Sequence, residues 1–124
     1  MNLQSPHLTI EMTQEIFYCQ EALPLESGES FPEFQLNFTT QGQLNANKDN
    51  VIWVMHALTG DANPQEWWSG LIGEDKFFDP SKYFIVCANF LGSCYGSTQP
   101  LSNDPQNRKP YYYDFPNITT RDIA

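Results

Sequence analysis

Apolar positions follow three different rhythms along the chain. Gln14 to Cys19, and again Leu23–Leu25, form short β-prone segments punctuated by Pro24 and the turn-forming Glu26-Ser27-Gly28-Glu29. Phe34, Leu36 and Phe38 then alternate with Gln35, Asn37 and Thr39, and that period of two predicts a strand with one wet face, as in antiparallel pairing. A polar stretch from Asn45 to Asn50 ends this region. Val51-Ile52-Trp53-Val54-Met55 is apolar at every position, which predicts a strand covered on both faces, as in a parallel sheet. Tyr83-Phe84-Ile85-Val86-Cys87-Ala88 repeats the trait 32 residues later. Between them lie a Gly-bearing loop, a short helix expected near Pro64–Ile72, and the turn signal Asp79-Pro80, which together have the size of a βαβ unit. The fold class is therefore α/β, with antiparallel leading strands followed by parallel strands.

The two ends add to this picture. Residues 1–13 are polar and carry Pro6, and they read as a loose leader. After a Gly/Ser/Asn/Pro-rich loop from Gly92 to Pro110, Thr119 is followed three residues later by Asp122, the spacing of a capping box at a helix start. The sequence stops within that first turn, too early for a helix to overcome its nucleation cost. Two parallel strands also leave both sheet edges open. Residues 14–124 are accordingly expected to be the front portion of a larger α/β domain. No internal repeat or low-complexity segment interrupts it.

Composition narrows the class. The 124 residues carry 15 acids against 6 bases, a net charge of −9, with six Glu and no Lys or Arg before Lys48. Such a surface repels phosphate backbones, so no nucleic-acid partner is expected. At 40% hydrophobic and 15% aromatic residues the chain has the composition of a folding sequence. No apolar run approaches the roughly 18 residues of a membrane span, and the N-terminus lacks the features of a signal peptide. Three cysteines, Cys19, Cys87 and Cys94, form an odd set without metal-site spacing, which suits reduced thiols and a cytoplasmic location.

Candidate chemistry centres on His56-Ala57-Leu58-Thr59-Gly60-Asp61, directly after the first all-apolar strand. Parallel sheets place their sites at the carboxyl ends of strands. In α/β-hydrolase-type enzymes the loop at this place lends a backbone N–H to an oxyanion hole, and a nearby Gly lets the backbone present its amides. Taken alone, the loop reads first as a tight turn with a packed histidine. Asp61 either caps the following helix or orients His56, and capping is the simpler role. Cys94, between Gly92-Ser93 and Tyr95-Gly96, lacks the cationic surroundings of a nucleophile. Ser93 and Ser97 stand in no Gly-x-Ser-x-Gly elbow and read as loop formers. Trp67-Trp68 reads as a packing pair, Tyr111-Tyr112-Tyr113 as either a cleft lining or a surface cover, and Arg108-Lys109 as a solvated loop tip. His7 lies in the leader and takes no role.

These segments together resemble the homoserine O-acetyltransferase family, α/β-hydrolase-fold acyltransferases of methionine biosynthesis. The resemblance rests on His56-Ala57-Leu58-Thr59-Gly60-Asp61, Trp67-Trp68-x-Gly70-Leu71-Ile72-Gly73, Phe78-Asp79 with Tyr83-Phe84, Asn89-x-Leu91-Gly92-x-Cys94-Tyr95-Gly96, Lys109-Pro110-Tyr111, Asp114-Phe115-Pro116, and Thr119-x-Arg121-Asp122. They come in family order from about residue 10 onward; Ser93 and Gln99 depart from it where the family usually has Gly. The resemblance implies the N-terminal fragment of an α/β-hydrolase fold, ending before the nucleophile elbow. It implies acetyl transfer from acetyl-CoA to L-homoserine through a serine nucleophile, no further cofactor, no metal, and a cytoplasmic homodimer for the full-length protein. Carried over by position, Leu58 would supply an oxyanion-hole N–H, with Ala57, Thr59 and Gly60 shaping the substrate pocket. His56 is not the catalytic base, and no triad residue is assigned within these 124 residues, so the segment alone is expected to be inactive. Sibling readings are homoserine O-succinyltransferase or serine O-acetyltransferase; a non-catalytic α/β-hydrolase-like binding module is the reading from another class.

Overall fold

The computed structural model describes residues 10–124. Six strands form in chain order: β1 (Met12–Cys19), β2 (Leu23–Pro24), β3 (Ser30–Phe31), β4 (Phe34–Gln41), β5 (Val51–Val54) and β6 (Phe84–Ala88). Helix α1 spans Pro64–Trp67, a 3-10 turn spans Tyr112–Asp114, and α2 spans Thr120–Ile123. A four-stranded sheet has the order β1-β4-β6-β5, and β2 pairs with β3 in a separate ladder. The expected leader runs into strand at Met12; its first nine positions, His7 included, lie outside the described residues. The chain divides into two compact units, one of residues up to Gln14 with Thr39–Cys87, the other of Glu15–Phe38 with Ala88–Ala124.

In the first unit β5 and β6 run parallel, with Val51 opposite Phe84 and Val54 opposite Cys87, so their carboxyl ends lie on the same side. The crossover between them is the βαβ unit the sequence predicts, with a shorter helix. Pro64 starts α1 with its preset φ, and Trp68 N–H closes the turn on the Pro64 carbonyl. Leu71 and Ile72 then take separate bonds to the Trp68 carbonyl, so the expected helix through Ile72 is one turn followed by a loop. Val54, Ala62, Ile72, Ile85 and Cys87 make the core, with Ile52, Trp67, Phe78 and Tyr83 against it. β6 is buried from Ile85 to Ala88, as its apolar run predicts. β5 departs from expectation. It ends the sheet order, and Val51 and Trp53 stay exposed (42% and 57%) while Val54 is buried. An end strand has a neighbour on one side only, and here one of its faces also lacks cover.

Two details fix the crossover. Gly42 has φ +85°, and a Cβ there would overlap the Tyr83 and Pro80 carbonyl oxygens, so only glycine fits. The Asp79 carboxylate accepts the amides of Ser81 at 2.8 Å and Asp75 at 3.0 Å. Those bonds, the Ser81 amide first, hold its carboxyl below the usual carboxylate range.

β4 overturns the expectation of a wet face. Three of its polar positions are its buried ones: Asn37, Thr39 and Gln41 are at most 9% exposed. Each has found a partner, which is what burial of a polar group requires. In the first unit Thr39 Oγ1 donates to the Ala62 carbonyl at 2.5 Å and Gln41 Nε2 to the Ile10 carbonyl at 2.9 Å. In the second unit Asn89 Nδ2 donates to Asn37 Oδ1, and Ser97 Oγ accepts from Asn37 N–H while donating to the Asn89 carbonyl. The alternation marks a strand correctly but does not say which face is dry.

The second unit has its own core of Leu25, Phe31, Leu91 and Tyr111. β2 and β3 form an antiparallel hairpin through a turn in which Gly28 sits at φ +88°. The Phe31 ring meets Tyr111 and Phe115 edge-on, with centroids 6.2 and 5.2 Å away. Burial, then the charges of Asp104 and Glu33, push the Tyr111 hydroxyl upward. The capping box forms as predicted: Thr119 Oγ1 accepts from Asp122 N–H, and Asp122 Oδ2 accepts from Thr119 N–H at 2.9 Å. Asp122 Oδ1 also accepts the Glu26 amide at 2.9 Å, and Glu26 pairs with Arg121 at 2.9 Å. The Thr119 amide first, then that of Glu26, lowers the Asp122 carboxyl below its ordinary range.

Candidate functional site

The chain leaves β5 at Val54 and passes through His56 into a turn closed by Gly60 N–H on the Ala57 carbonyl at 2.8 Å. His56 is buried, and its Nδ1 lies 2.7 Å from the same Ala57 oxygen. Leu58, at the tip, is fully exposed. Among the described residues no hydrogen bond takes up the Leu58 N–H.

The far leg of the turn is tied down from three directions. Trp67 Nε1 donates to the Asp61 carbonyl at 3.2 Å, the Cys87 thiol approaches that oxygen at 3.9 Å, and Thr39 holds the Ala62 carbonyl. Asp61 Oδ1 accepts the Asn63 amide at 3.0 Å just ahead of α1, which is the capping role favoured from sequence. Burial, with a smaller contribution from the Asp61 charge, pushes the Cys87 thiol up to about 11, so it acts here as a neutral weak donor. Beside the turn is an open depression of about 400 Å³, bordered by Ala57, Thr59, Gly60, Asp61, Glu66 and Trp67.

Three of the four residues singled out for the site, Ala57, Thr59 and Gly60, thus line one depression, and Leu58 projects from the tip of the same turn. Glu66 and Trp67 also border it. Trp67 carries a legible signal as an aromatic on a short helix after the loop, whereas nothing in the sequence marks Glu66 or the Thr39 tie. A second depression of about 590 Å³, in the other unit, is bordered by Tyr18, Glu33, Phe34, Thr98 and Leu101, and holds none of the predicted residues.

The remaining candidates resolve structurally. Trp67 joins the core and meets the ring of the half-exposed Trp68 at 5.1 Å. Ser97 is buried in the Asn37–Asn89 network, and Cys94 is exposed between glycines at positive φ. Tyr111 is core while Tyr112 and Tyr113 are exposed, so the aromatic run has one buried member. Arg108, at φ +60°, and Lys109 stand exposed on a tight loop. Among the described residues no three His, Cys, Asp or Glu side chains converge as a metal site, and no helix is long and apolar enough to cross a membrane.

The mixed sheet, the parallel β5–β6 crossover and the turn at the carboxyl end of β5 define part of an α/β-hydrolase fold. Solved structures carry the same arrangement: homoserine O-acetyltransferase from Bacillus anthracis matches with a TM-score of 0.77 at 29% identity, over 90% of this chain and 34% of that one. No family model matches the chain. Among curated proteins it is 94% identical over all 124 residues to homoserine O-acetyltransferase of Cyclobacterium marinum, covering 35% of that protein. It is 52% identical over 108 residues to that of Chlorobaculum parvum, covering 87% of this chain and 30% of the relative. The chain is thus similar to homoserine O-acetyltransferases along its whole length, and spans about a third of the length of the curated relatives it matches.

Proposed function

We propose that this chain supplies the oxyanion-binding turn of a homoserine O-acetyltransferase, with the Leu58 N–H as the donor. The observation that carries the reading is that amide: it belongs to the fully exposed Leu58, in the turn at the carboxyl end of a parallel strand, and has no partner among the described residues. In the proposed reaction a serine Oγ attacks the thioester carbonyl of acetyl-CoA, and the oxygen of the tetrahedral intermediate takes the Leu58 N–H as hydrogen-bond donor. Collapse breaks the C–S bond, CoA leaves and takes a proton, and the serine keeps the acetyl group. The L-homoserine hydroxyl then attacks that ester, giving O-acetyl-L-homoserine and free serine. Ala57, Thr59 and Gly60 shape the pocket wall. The reading assigns the serine and its His and Asp partners to the remaining two-thirds of the protein, and gives the whole enzyme a cytoplasmic, dimeric form in methionine biosynthesis.

The test is a chimera in which these 124 residues replace the matching third of the Cyclobacterium marinum enzyme. CoA release is followed with acetyl-CoA and L-homoserine, with succinyl-CoA and L-serine as competing arms. Leu58→Ala keeps the amide and should retain kcat, whereas Leu58→Pro removes it and should lower kcat by about 10²–10³. The same segment by itself is expected to release no CoA. An inactive chimera, or a Leu58→Pro form as fast as Leu58→Ala, refutes the assignment.

A further inference from the structure

We infer that His56 is a positioning residue for the oxyanion amide, acting through the Ala57–Leu58 peptide plane; this rests on the role proposed for Leu58. The Ala57 carbonyl and the Leu58 N–H belong to one peptide unit. That unit is rigid and planar, with its C=O and N–H pointing in opposite directions, so whatever fixes the oxygen aims the hydrogen. Two donors fix it: Gly60 N–H at 2.8 Å and His56 Nδ1 at 2.7 Å. A carbonyl oxygen has two lone pairs and no proton, so both are occupied and the imidazole must carry its proton on Nδ1.

The ring is itself held still, being 6% exposed. It therefore serves as a fixed post rather than a mobile acid or base. Turning the peptide to withdraw the Leu58 N–H would break both bonds at once and leave a buried imidazole N–H without its acceptor. The same two bonds polarise the amide, since hydrogen bonds along a chain strengthen one another, and the Leu58 N–H becomes a better donor to a developing oxyanion. Gly60 supplies only a backbone N–H, so His56 is the sole side chain the structure shows on that oxygen among the described residues. Loss of this anchor affects an interaction formed fully only in the transition state, so kcat should respond and KM should not.

The test uses the chimera described above with His56→Ala, His56→Asn and His56→Gln. An Asn side chain places an N–H donor where Nδ1 was, while Gln places one near the Nε2 position. His56→Ala should lower kcat by about 10- to 100-fold with KM for both substrates within about twofold, and His56→Asn should recover most of the loss while His56→Gln does not. The amplitude of the first-turnover burst of CoA counts correctly folded sites, which separates misfolding from slow chemistry. The inference is overturned if Gln restores kcat as well as Asn, if the change falls on KM, or if His56→Ala lowers only the burst amplitude. The unsubstituted chimera tests the oxyanion assignment separately, and its inactivity overturns both.

Discussion

Gly60→Ala is the most economical probe of how tightly the turn is built. Gly60 is outside the left-handed region, so backbone strain is not at issue; space is. A Cβ added there would sit 3.1 Å from His56 Cβ, 3.2 Å from the Ala57 oxygen and 3.3 Å from the Ala57 nitrogen. Ordinary carbon contacts lie at about 3.5–4.0 Å, so the neighbours must retreat by a few tenths of an ångström. Both are parts of the anchor: the ring that donates to Ala57 and the carbonyl that receives it. Because a misplacement of about 1 Å costs on the order of 10² in rate, a shift a third as large should lower kcat by about 3- to 10-fold, or roughly 0.7–1.4 kcal/mol of barrier. Stability should stay near that of the unsubstituted protein, because the about 0.4–1 kcal/mol that an unstrained Gly→Ala contributes through the unfolded chain is offset by the cost of displacing His56 and Ala57. Initial rates of CoA release by the chimera, read beside its melting midpoint, separate the two. A kcat unchanged within twofold, or one that falls only with a lowered midpoint, would refute the idea that the Ala57 carbonyl governs the amide.

Two other expectations use the ionisable groups. Cys87 is fully buried with its thiol raised to about 11, so at pH 8 only about one thiol in a thousand is ionised, against about a quarter for an unperturbed cysteine of pKa about 8.5. Iodoacetamide should modify it at least about 200-fold more slowly than an ordinary exposed thiol, and peptide-resolved mass spectrometry finding it labelled alongside the exposed Cys94 would contradict this. The Asp122 carboxyl is lowered in the folded state, so its stabilisation is present above the ordinary carboxylate range and disappears as pH falls through the lower folded value. Asp122→Asn should therefore reduce the melting midpoint at neutral pH and flatten its decline in acid, measured by circular dichroism; parallel pH profiles for the two proteins would be the wrong result.

The sequence carried the elements better than their surroundings. The all-apolar runs at 51–55 and 83–88 were enough to predict two parallel strands, although only β6 is covered as that pattern implies. The Thr119–Asp122 spacing was enough to predict a capping box, since both partners lie three residues apart and need nothing distant. Burial was less legible. β5 exposes Trp53 because its place in the sheet is set by pairing, which no local pattern reports. β4 hides Asn37, Thr39 and Gln41 because acceptors and donors from segments far along the chain meet them, and a period of two cannot distinguish a wet polar face from a satisfied one. The helix expected to reach Ile72 stops after Trp67, where the backbone bonds pass to the Trp68 carbonyl.

The site itself follows a different logic, because its proposed working atom belongs to the backbone. The Leu58 side chain is fully exposed, so the sequence records little at position 58 beyond the requirement for an N–H, which every residue but proline meets. What the sequence does encode is how the turn around that N–H is held, and it encodes it in side chains at the two ends of the turn. His56 grips one end of the turn through the Ala57 carbonyl; Trp67 and Thr39 grip the other through the carbonyls of Asp61 and Ala62. Three side chains from three segments therefore hold three consecutive-region carbonyls, leaving the amide at the tip unengaged. Such a division predicts that substitutions at the grips cost more activity than substitution of the exposed leucine, even though the leucine is the residue bearing the donor.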